Sequence, residues 1–228
     1  MKAKIGEIKK IVMLQSGGRD SAIACIRLLE KGNSVQAITF LHSDQESADL
    51  PRKRAEEISN KFTDYSWAAV EYTAWERDMK SAVTQAIGVE LPRSCLICAI
   101  ARLTACVQIC KGISSTSIAV GYAGYQNTWA EQTPCAIELQ NDYLEKYGFN
   151  FLIPTSGILS KSEVISELNN HNITQDSLEN PCCIAAEGTQ FVEDDLIKKT
   201  IKLCFDFAES KIPILTVRDS LGEKSLCL

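Results

Sequence analysis

The sequence predicts an α/β fold: a doubly wound, mostly parallel five-stranded sheet with helices on both faces. Three observations carry this. Short apolar runs alternate with amphipathic stretches along the chain. Each apolar run is closed by a glycine, proline or polar turn. The chain has 228 residues, 45% hydrophobic and 23% charged, enough apolar mass for one sizeable core. Strand–helix alternation of this kind places parallel strands in one sheet and their crossover helices over its faces.

The elements follow in order. Ile8 to Gln15 is a short apolar run ending at Ser16-Gly17-Gly18, hence a buried strand. Asp20 to Lys31 carries Ile23, Ile26, Leu28 and Leu29 and stops at Gly32, a helix ending. Ser34 to Leu41 is the second strand, and Leu50 to Phe62 the second helix, with a charged face. Ser66 to Thr73 is the third strand and Ala74 to Ile87 a helix. Ser94 to Lys111 is the longest apolar helix, followed by a fourth strand over Thr116 to Gly121. Ala136 to Tyr147 is helical, and Phe149 to Ile153 is a fifth strand stopped by Pro154. Ser160 to Asn169 opens with a serine three residues before Glu163, the pattern of a capping box. Gln190 to Ser210 is a further amphipathic helix, and the tail from Lys211 is irregular or one short strand. The expected division is a nucleotide-binding domain over 1–185 and a helical extension over 186–228 packed on the same domain.

Composition excludes some functions. No apolar run approaches the ~20 residues that span a bilayer, so no membrane role is expected. The N-terminal residues do not form a secretory signal, and the expected location is cytoplasmic. The net charge of −5 argues against broad, non-specific nucleic-acid binding. Arg52, Lys53 and Arg54 form one small basic cluster, expected to be a solvated helix face. Ten cysteines in a reducing compartment should not be structural disulfides; some are small core residues.

The loop Ser16-Gly17-Gly18-Arg19-Asp20-Ser21 carries the chemistry. It sits between the first strand and the first helix. Glycines let backbone approach an anion, and the helix start offers unpaired N–H groups with a partial positive charge. Ser16 and Ser21 add hydroxyls for phosphate oxygens. Asp20 cannot favour a phosphate directly, so it orients the loop or holds Mg²⁺. The reading is ATP binding.

These six residues resemble the Ser-Gly-Gly-x-Asp-Ser signature of the PP-loop ATPases, the adenine nucleotide α-hydrolase-like proteins, with their HUP-like fold. The resemblance implies cleavage of ATP between its α and β phosphates, giving an adenylated substrate and pyrophosphate. It also implies that backbone at Thr39, Phe40 and Leu41 wraps the adenine and that Gly121 lies beside the nucleotide.

Cys95-Leu96-Ile97-Cys98 is a CxxC at a helix start, a ligand pair for Zn²⁺ or an iron–sulfur cluster, or a redox pair. Cys182 or Cys183 is placed to supply a third thiolate. Three cysteines do not close a tetrahedral structural zinc site; they suit a cluster with one open iron, or a nucleophilic set. The stretch from Cys95 to Cys183 resembles the catalytic half of 4-thiouridine synthetases and related tRNA sulfurtransferases. The resemblance rests on the CxxC and on the segment from Gly121 to Gln126 with Glu131-Gln132-Thr133. Pro154-Thr155-Ser156-Gly157, Lys161-Ser162-Glu163 and Cys182-Cys183 complete it, and His42-Ser43 after the second strand fits it too. It implies a [4Fe-4S] cluster, or Zn²⁺, on Cys95, Cys98 and only one of Cys182 and Cys183, because adjacent cysteines do not readily face one iron; Cys183 is the preferred one. It implies Asp20, Cys98, Cys183 and Lys161 as catalytic residues, Lys161 as the extra cation near the phosphates. The implied partners are ATP, a tRNA or small-molecule acceptor and a sulfur donor; a homodimer is compatible with the sequence.

Two departures stand out. The family's basic residue after the second cysteine is Ala99 here, with Arg102 the next cation. The phosphate loop begins at residue 16, so the RNA-binding modules that precede it in thiouridine enzymes are not expected. Two other functions fit the loop. One is a 7-cyano-7-deazaguanine-synthase-like ligase, although its four closely spaced zinc cysteines are missing. The other is a non-catalytic ATP-binding subunit.

Overall fold

The computed structural model describes residues 9–42, 46–88, 95–180 and 192–221. Cys182 and Cys183 lie outside the described residues, as does Ser43.

Six strands form one sheet in the order β5-β4-β1-β2-β3-β6. They are β1 (Lys10–Leu14), β2 (Ser34–Leu41), β3 (Tyr65–Glu71), β4 (Ser117–Ala119), β5 (Asn150–Leu152) and β6 (Thr216–Leu221). The first five run parallel, and β6 lies antiparallel against β3 at the edge. The fold class is the one expected, and the tail, read as irregular or one short strand, supplies a sixth strand. The weak signal of that strand has a cause: in Thr-Val-Arg-Asp-Ser-Leu no side chain is fully buried. Arg218 pairs with Glu71, and Asp219 accepts from Arg52 at 2.6 Å. Charges on an edge strand suppress further pairing while weakening the apolar alternation that announces a strand.

Alternation along the strands divides the core. Ile11 and Met13 of β1 face one side of the sheet and Val12 the other. On the Ile11 side pack α1 (Arg19–Glu30), α2 (Asp49–Ser59) and α6 (Lys161–Asn170). On the Val12 side pack α3 (Thr73–Ile87), α4 (Leu96–Gly112) and α5 (Pro134–Lys146). The last helix, α7 (Asp194–Ser210), joins that second layer through Ile197, Ile201 and Cys204. α4 is apolar nearly all round, because α3 and α7 both pack on it above the sheet. Among the described residues no helix is long and apolar enough to cross a membrane.

Local signals set several boundaries. Thr133 caps α5, accepting from Ala136 N–H, with Pro134 in the first helical turn. Ser160 accepts from Glu163 N–H at 3.3 Å, the half of the capping box that the spacing predicts, and its hydroxyl donates to the Glu163 carboxylate at 2.8 Å. Cys25, Cys106, Cys110 and Cys204 are buried free thiols, small core residues as expected.

The cap carries a measurable stabilisation. Ser160→Ala should lower the unfolding free energy by about 1 kcal/mol, and Ser160→Gly by less. Urea denaturation followed by circular dichroism reads both; equal losses would contradict a capping role.

Candidate functional site

The parallel strands end together, and the loops that leave their carboxyl ends build the site. The first loop is anchored before it begins. Gln15, directly after β1, is buried. Its side-chain oxygen accepts from the Tyr65 hydroxyl at 3.0 Å. Its backbone carbonyl accepts from Thr39 at 2.5 Å, and Thr39 in turn accepts from the Trp67 indole at 2.9 Å.

Beyond this anchor the chain turns sharply. Gly17 has φ +91°, a left-handed conformation that glycine adopts without strain, and a Cβ there would meet the carbonyl oxygen of Leu178 at 2.1 Å. Gly18 is the N-cap of α1, with no side chain capping the helix start. Ser16 Oγ accepts from Gly18 N–H at 3.1 Å, and Ser21 Oγ donates to the Gly18 carbonyl at 3.1 Å. The two hydroxyls sit 3.3 Å apart. The result is a tight cradle of hydroxyls at a helix N-terminus, the arrangement that suits phosphate. Gly121, after β4, closes one wall: a Cβ there would lie 2.5 Å from Ser21 Cα. That close approach explains the glycine by packing on α1.

Arg54 holds the loop from below. The sequence reading placed Arg52, Lys53 and Arg54 on a solvated face; Lys53 is exposed, but Arg54 is completely buried. Its guanidinium donates to the carbonyls of Gly17 (3.3 Å), Thr174 (2.8 Å) and Asp176 (2.6 Å) and to Glu57 (2.7 Å). A signal for this was present: Pro51, Arg54, Ala55 and Ile58 fall three, four and seven residues apart, on the buried face of α2. The strap that Arg54 holds delivers Glu179 to the cradle, where its carboxylate accepts from Ser16 at 3.2 Å and from Ser177 at 2.8 Å. Nothing local in the sequence marks Glu179.

Asp20, in the first turn of α1, accepts from the Tyr125 hydroxyl at 2.8 Å and from Gln126 at 3.4 Å. Burial raises its pKa, partly offset by the Tyr125 hydrogen bond and by Arg19. A cation would relieve that burden. Lys161 is exposed at the first position of α6. The Phe40 side chain is buried against Tyr72, ring centroids 4.9 Å apart. Only its backbone is placed to meet a ligand. β2 pairs with β1 as far as Ile38, whose carbonyl accepts from Gln15 N–H. Beyond that it pairs with β3 alone as far as Leu41. By the alternation of a parallel strand, Phe40 N–H and C=O point past the end of β1.

A second group of residues collects at the ends of β2 and β3. His42 follows β2, Glu76 lies in the first turn of α3, and Cys98 in the first turn of α4. The Cys98 thiol donates to Glu76 Oε1 at 2.8 Å, and His42 Nδ1 meets Glu76 Oε2 at 2.8 Å and the Tyr72 hydroxyl at 3.1 Å. Burial and the neighbouring Glu76 charge push the Cys98 thiol up. Arg102 donates to the Cys98 carbonyl at 3.1 Å, one turn along α4. Burial would lower the Arg102 pKa, but its nearness to the acidic groups of Tyr72, Cys98, Tyr122 and Cys95 outweighs this and raises it, so the guanidinium stays charged. Arg102 lies four residues after Cys98, on the same helix face. Cys95 is half-buried at the N-cap of α4. Tyr122, directly after Gly121, donates its hydroxyl to Gln140 at 3.1 Å, and both groups of residues lie at the carboxyl ends of the parallel strands. Sequence reading missed Glu76, which no motif announces.

Comparison with known proteins agrees with this architecture. The family model for thiamine biosynthesis protein (ThiI) matches residues 6–123, just over half the chain. No curated protein sequence matches it. A solved 4-thiouridine synthetase–RNA complex with bound ATP superposes with a TM-score of 0.59 at 16% identity, over 92% of this chain and 55% of that one. The U34-tRNA thiolase NcsA from Methanococcus maripaludis, with its [4Fe-4S] cluster, gives a TM-score of 0.54 at 15% identity, over 89% of this chain and 66% of that one. The chain thus spans between half and two thirds of these solved relatives, and the likeness establishes the fold.

Two outcomes follow from the geometry. Arg54→Met leaves three carbonyls and Glu57 without their buried donor, and should cost about 3 kcal/mol in urea denaturation and weaken ATP binding in calorimetry. Lys53→Met should change neither. The second concerns acid. Burial would raise the Glu76 carboxyl, but the hydrogen bond and charge of His42, with Cys98 and Arg102, outweigh it and hold the pKa at about 2, against an ordinary 4.5. A depressed carboxyl stabilises fully above its unfolded value and loses that contribution as pH falls toward its folded one. Between pH 4.5 and about 2 the wild-type chain should therefore lose stability more steeply than Glu76→Gln, read as the urea midpoint at each pH. Parallel profiles would show that Glu76 has no such coupling.

Proposed function

Because the chain belongs to the ThiI thiamine biosynthesis protein family, we propose that it is an ATP-dependent sulfur transferase acting on tRNA. In this reading ATP is cut between its α and β phosphates. The acceptor's carbonyl oxygen attacks the α-phosphorus, the bond to the β-phosphate oxygen breaks, and pyrophosphate leaves. A nucleophilic sulfur from a separate donor then attacks the activated carbon, and AMP departs with the oxygen. The observation that carries the proposal is the cradle of Ser16, Gly17, Gly18 and Ser21 at the start of α1, with Cys98 held at the end of the neighbouring strand layer.

Each residue has a part. The N–H groups at the start of α1 and the two serine hydroxyls grip the phosphates. Asp20, oriented by Tyr125 and Gln126, is the residue to hold Mg²⁺, which screens the phosphate charge. Backbone at Phe40 meets the adenine, and Gly121 keeps the cradle wall free of a side chain. Arg102 offers positive charge beside Cys98. Lys161 is the proposed further cation for the phosphates. RNA as acceptor is supported by the relatives, one solved with RNA and the other a tRNA thiolase.

Sulfur is handled at Cys98 in this reading. Its all-cysteine form asks for thiolates from Cys95, Cys98 and Cys183 or Cys182, as a [4Fe-4S] cluster would need. The groups within hydrogen-bond reach of the Cys98 thiol and its Glu76 partner are of mixed type, a carboxylate and an imidazole. No step is assigned to a cluster.

The test uses the purified chain with ATP, Mg²⁺, unmodified tRNA and sulfide as donor, under anaerobic conditions. AMP, pyrophosphate and a thionucleoside should appear together. Gly18→Val should abolish ATP binding with the fold retained, because the added Cβ meets only the Glu179 and Ser16 side chains, at 2.8 and 3.1 Å. ADP as the main product, or unchanged ATP affinity in Gly18→Val, would overturn the assignment.

A further inference from the structure

His42, Glu76 and Cys98 come from three elements separated in sequence, the end of β2 and the first turns of α3 and α4. Their ligand-type atoms, a ring nitrogen, a carboxylate oxygen and a thiol sulfur, all lie within 4.8 Å of one another. We propose that these three residues bind a single divalent ion of the zinc class, with one coordination position left open.

The geometry supports this in three ways. Zinc bonds of roughly 2.0–2.3 Å to nitrogen, oxygen and sulfur place tetrahedral ligands about 3.3–3.8 Å apart. The observed spacing reaches that with side-chain adjustments of about 1 Å or less, within three helix or strand ends that the core already fixes. Second, the set is crowded with acceptors. Glu76 accepts from Cys98 on one oxygen and meets His42 on the other, while the Tyr72 hydroxyl reaches the same ring nitrogen at 3.1 Å. A thiolate and a carboxylate 2.8 Å apart repel unless a cation lies between them. The thiol proton fills that place in the chain as described, and a metal ion would replace it, with the proton released to solvent. Third, one outer contact is present, Arg102 on the Cys98 carbonyl, while the Tyr72 hydroxyl shares the Nδ1 of His42 with Glu76 and would give it up to an ion bound there.

Nitrogen, oxygen and sulfur donors together suit zinc, whereas iron–sulfur clusters are held by thiolates. With three protein ligands a tetrahedral ion keeps one site for an incoming group. The Glu76 side chain is 13% exposed and that of His42 37%, so the site is sheltered yet reachable. A sulfur ligand at that position would sit at the carboxyl ends of the strands, on the same side as the phosphate cradle. The inference uses Cys98 but neither Cys95 nor the late cysteines, so it competes with the all-cysteine reading for the Cys98 sulfur.

The experiment is a cobalt titration of the full chain, purified in air and stripped with chelator. One equivalent of Co²⁺ should bind, with visible d–d bands and a near-ultraviolet sulfur-to-cobalt charge-transfer band. Cys98→Ala should lose the charge-transfer band. His42→Ala, His42→Gln and Glu76→Gln should each weaken binding by well over about 100-fold, beyond the roughly 10–100-fold that loss of an outer-shell partner costs. Cys95→Ala and Cys183→Ala should bind as the wild type does. Circular dichroism and urea midpoints check that each variant folds, and ATP calorimetry on His42→Gln separates failure here from failure of the nucleotide site. Absence of binding in the wild-type chain, or affinity indifferent to both His42 substitutions, would overturn the proposal. So would binding that depends on Cys95 and Cys183, which would assign Cys98 to the three-cysteine set.

Discussion

The Arg54 guanidinium is the point through which the phosphate loop is held. It reaches from α2 under the loop and binds the Gly17 carbonyl, while its other nitrogens bind the carbonyls of Thr174 and Asp176. Gly17 needs this support. Its left-handed backbone leaves its carbonyl turned inward, where it also accepts from Leu178 N–H at 3.1 Å. A buried arginine whose donors all went unmet would be very costly, because its charge cannot be removed by deprotonation. Here three carbonyls and Glu57 satisfy it. One side chain thus fixes the loop that meets phosphate to the strap that brings Glu179 beside it.

From that anchor the site is assembled by adjacency at one sheet end. β1 and β2 stand side by side, so the phosphate loop and the exposed backbone edge of Phe40 are neighbours. β3 pairs with β2 through Leu41 and Glu71, which brings Tyr72 and α3 next to His42. α4 packs on α3, and the Trp75 indole donates to the Ala101 carbonyl and to Thr104, so Cys98 meets Glu76. β4 lies on the other side of β1, and Gly121 beyond it rests on Ser21. Tyr122, next in the chain, donates its hydroxyl to Gln140 at 3.1 Å. Nucleotide loop and thiol lie at the same end of the sheet because these strands are parallel.

Much of this was legible in the residues. The five parallel strands, the capping box of Ser160 and Glu163 and the phosphate loop were readable because each is a local pattern. The family model covers the same loop and both strands beside it. Arg54 was misread although its spacing on α2 pointed inward, because a charge cluster usually marks solvent. β6 was only half legible, since an edge strand with ion-paired charges lacks the period-two signal of a core strand.

The sequence by itself therefore determined the local elements, the six-residue loop that opens α1 and the place of the CxxC at the start of α4. These depend on residues within about one helical turn of each other, where backbone preference and side-chain spacing decide. Only the tertiary structure decided that Cys98 faces Glu76, itself paired with His42, and that Glu179 reaches Ser16 across 163 residues. Such contacts come from strand order and from helix packing across the sheet. No local rule contains them, because they join residues that become neighbours only when the sheet closes its parallel order.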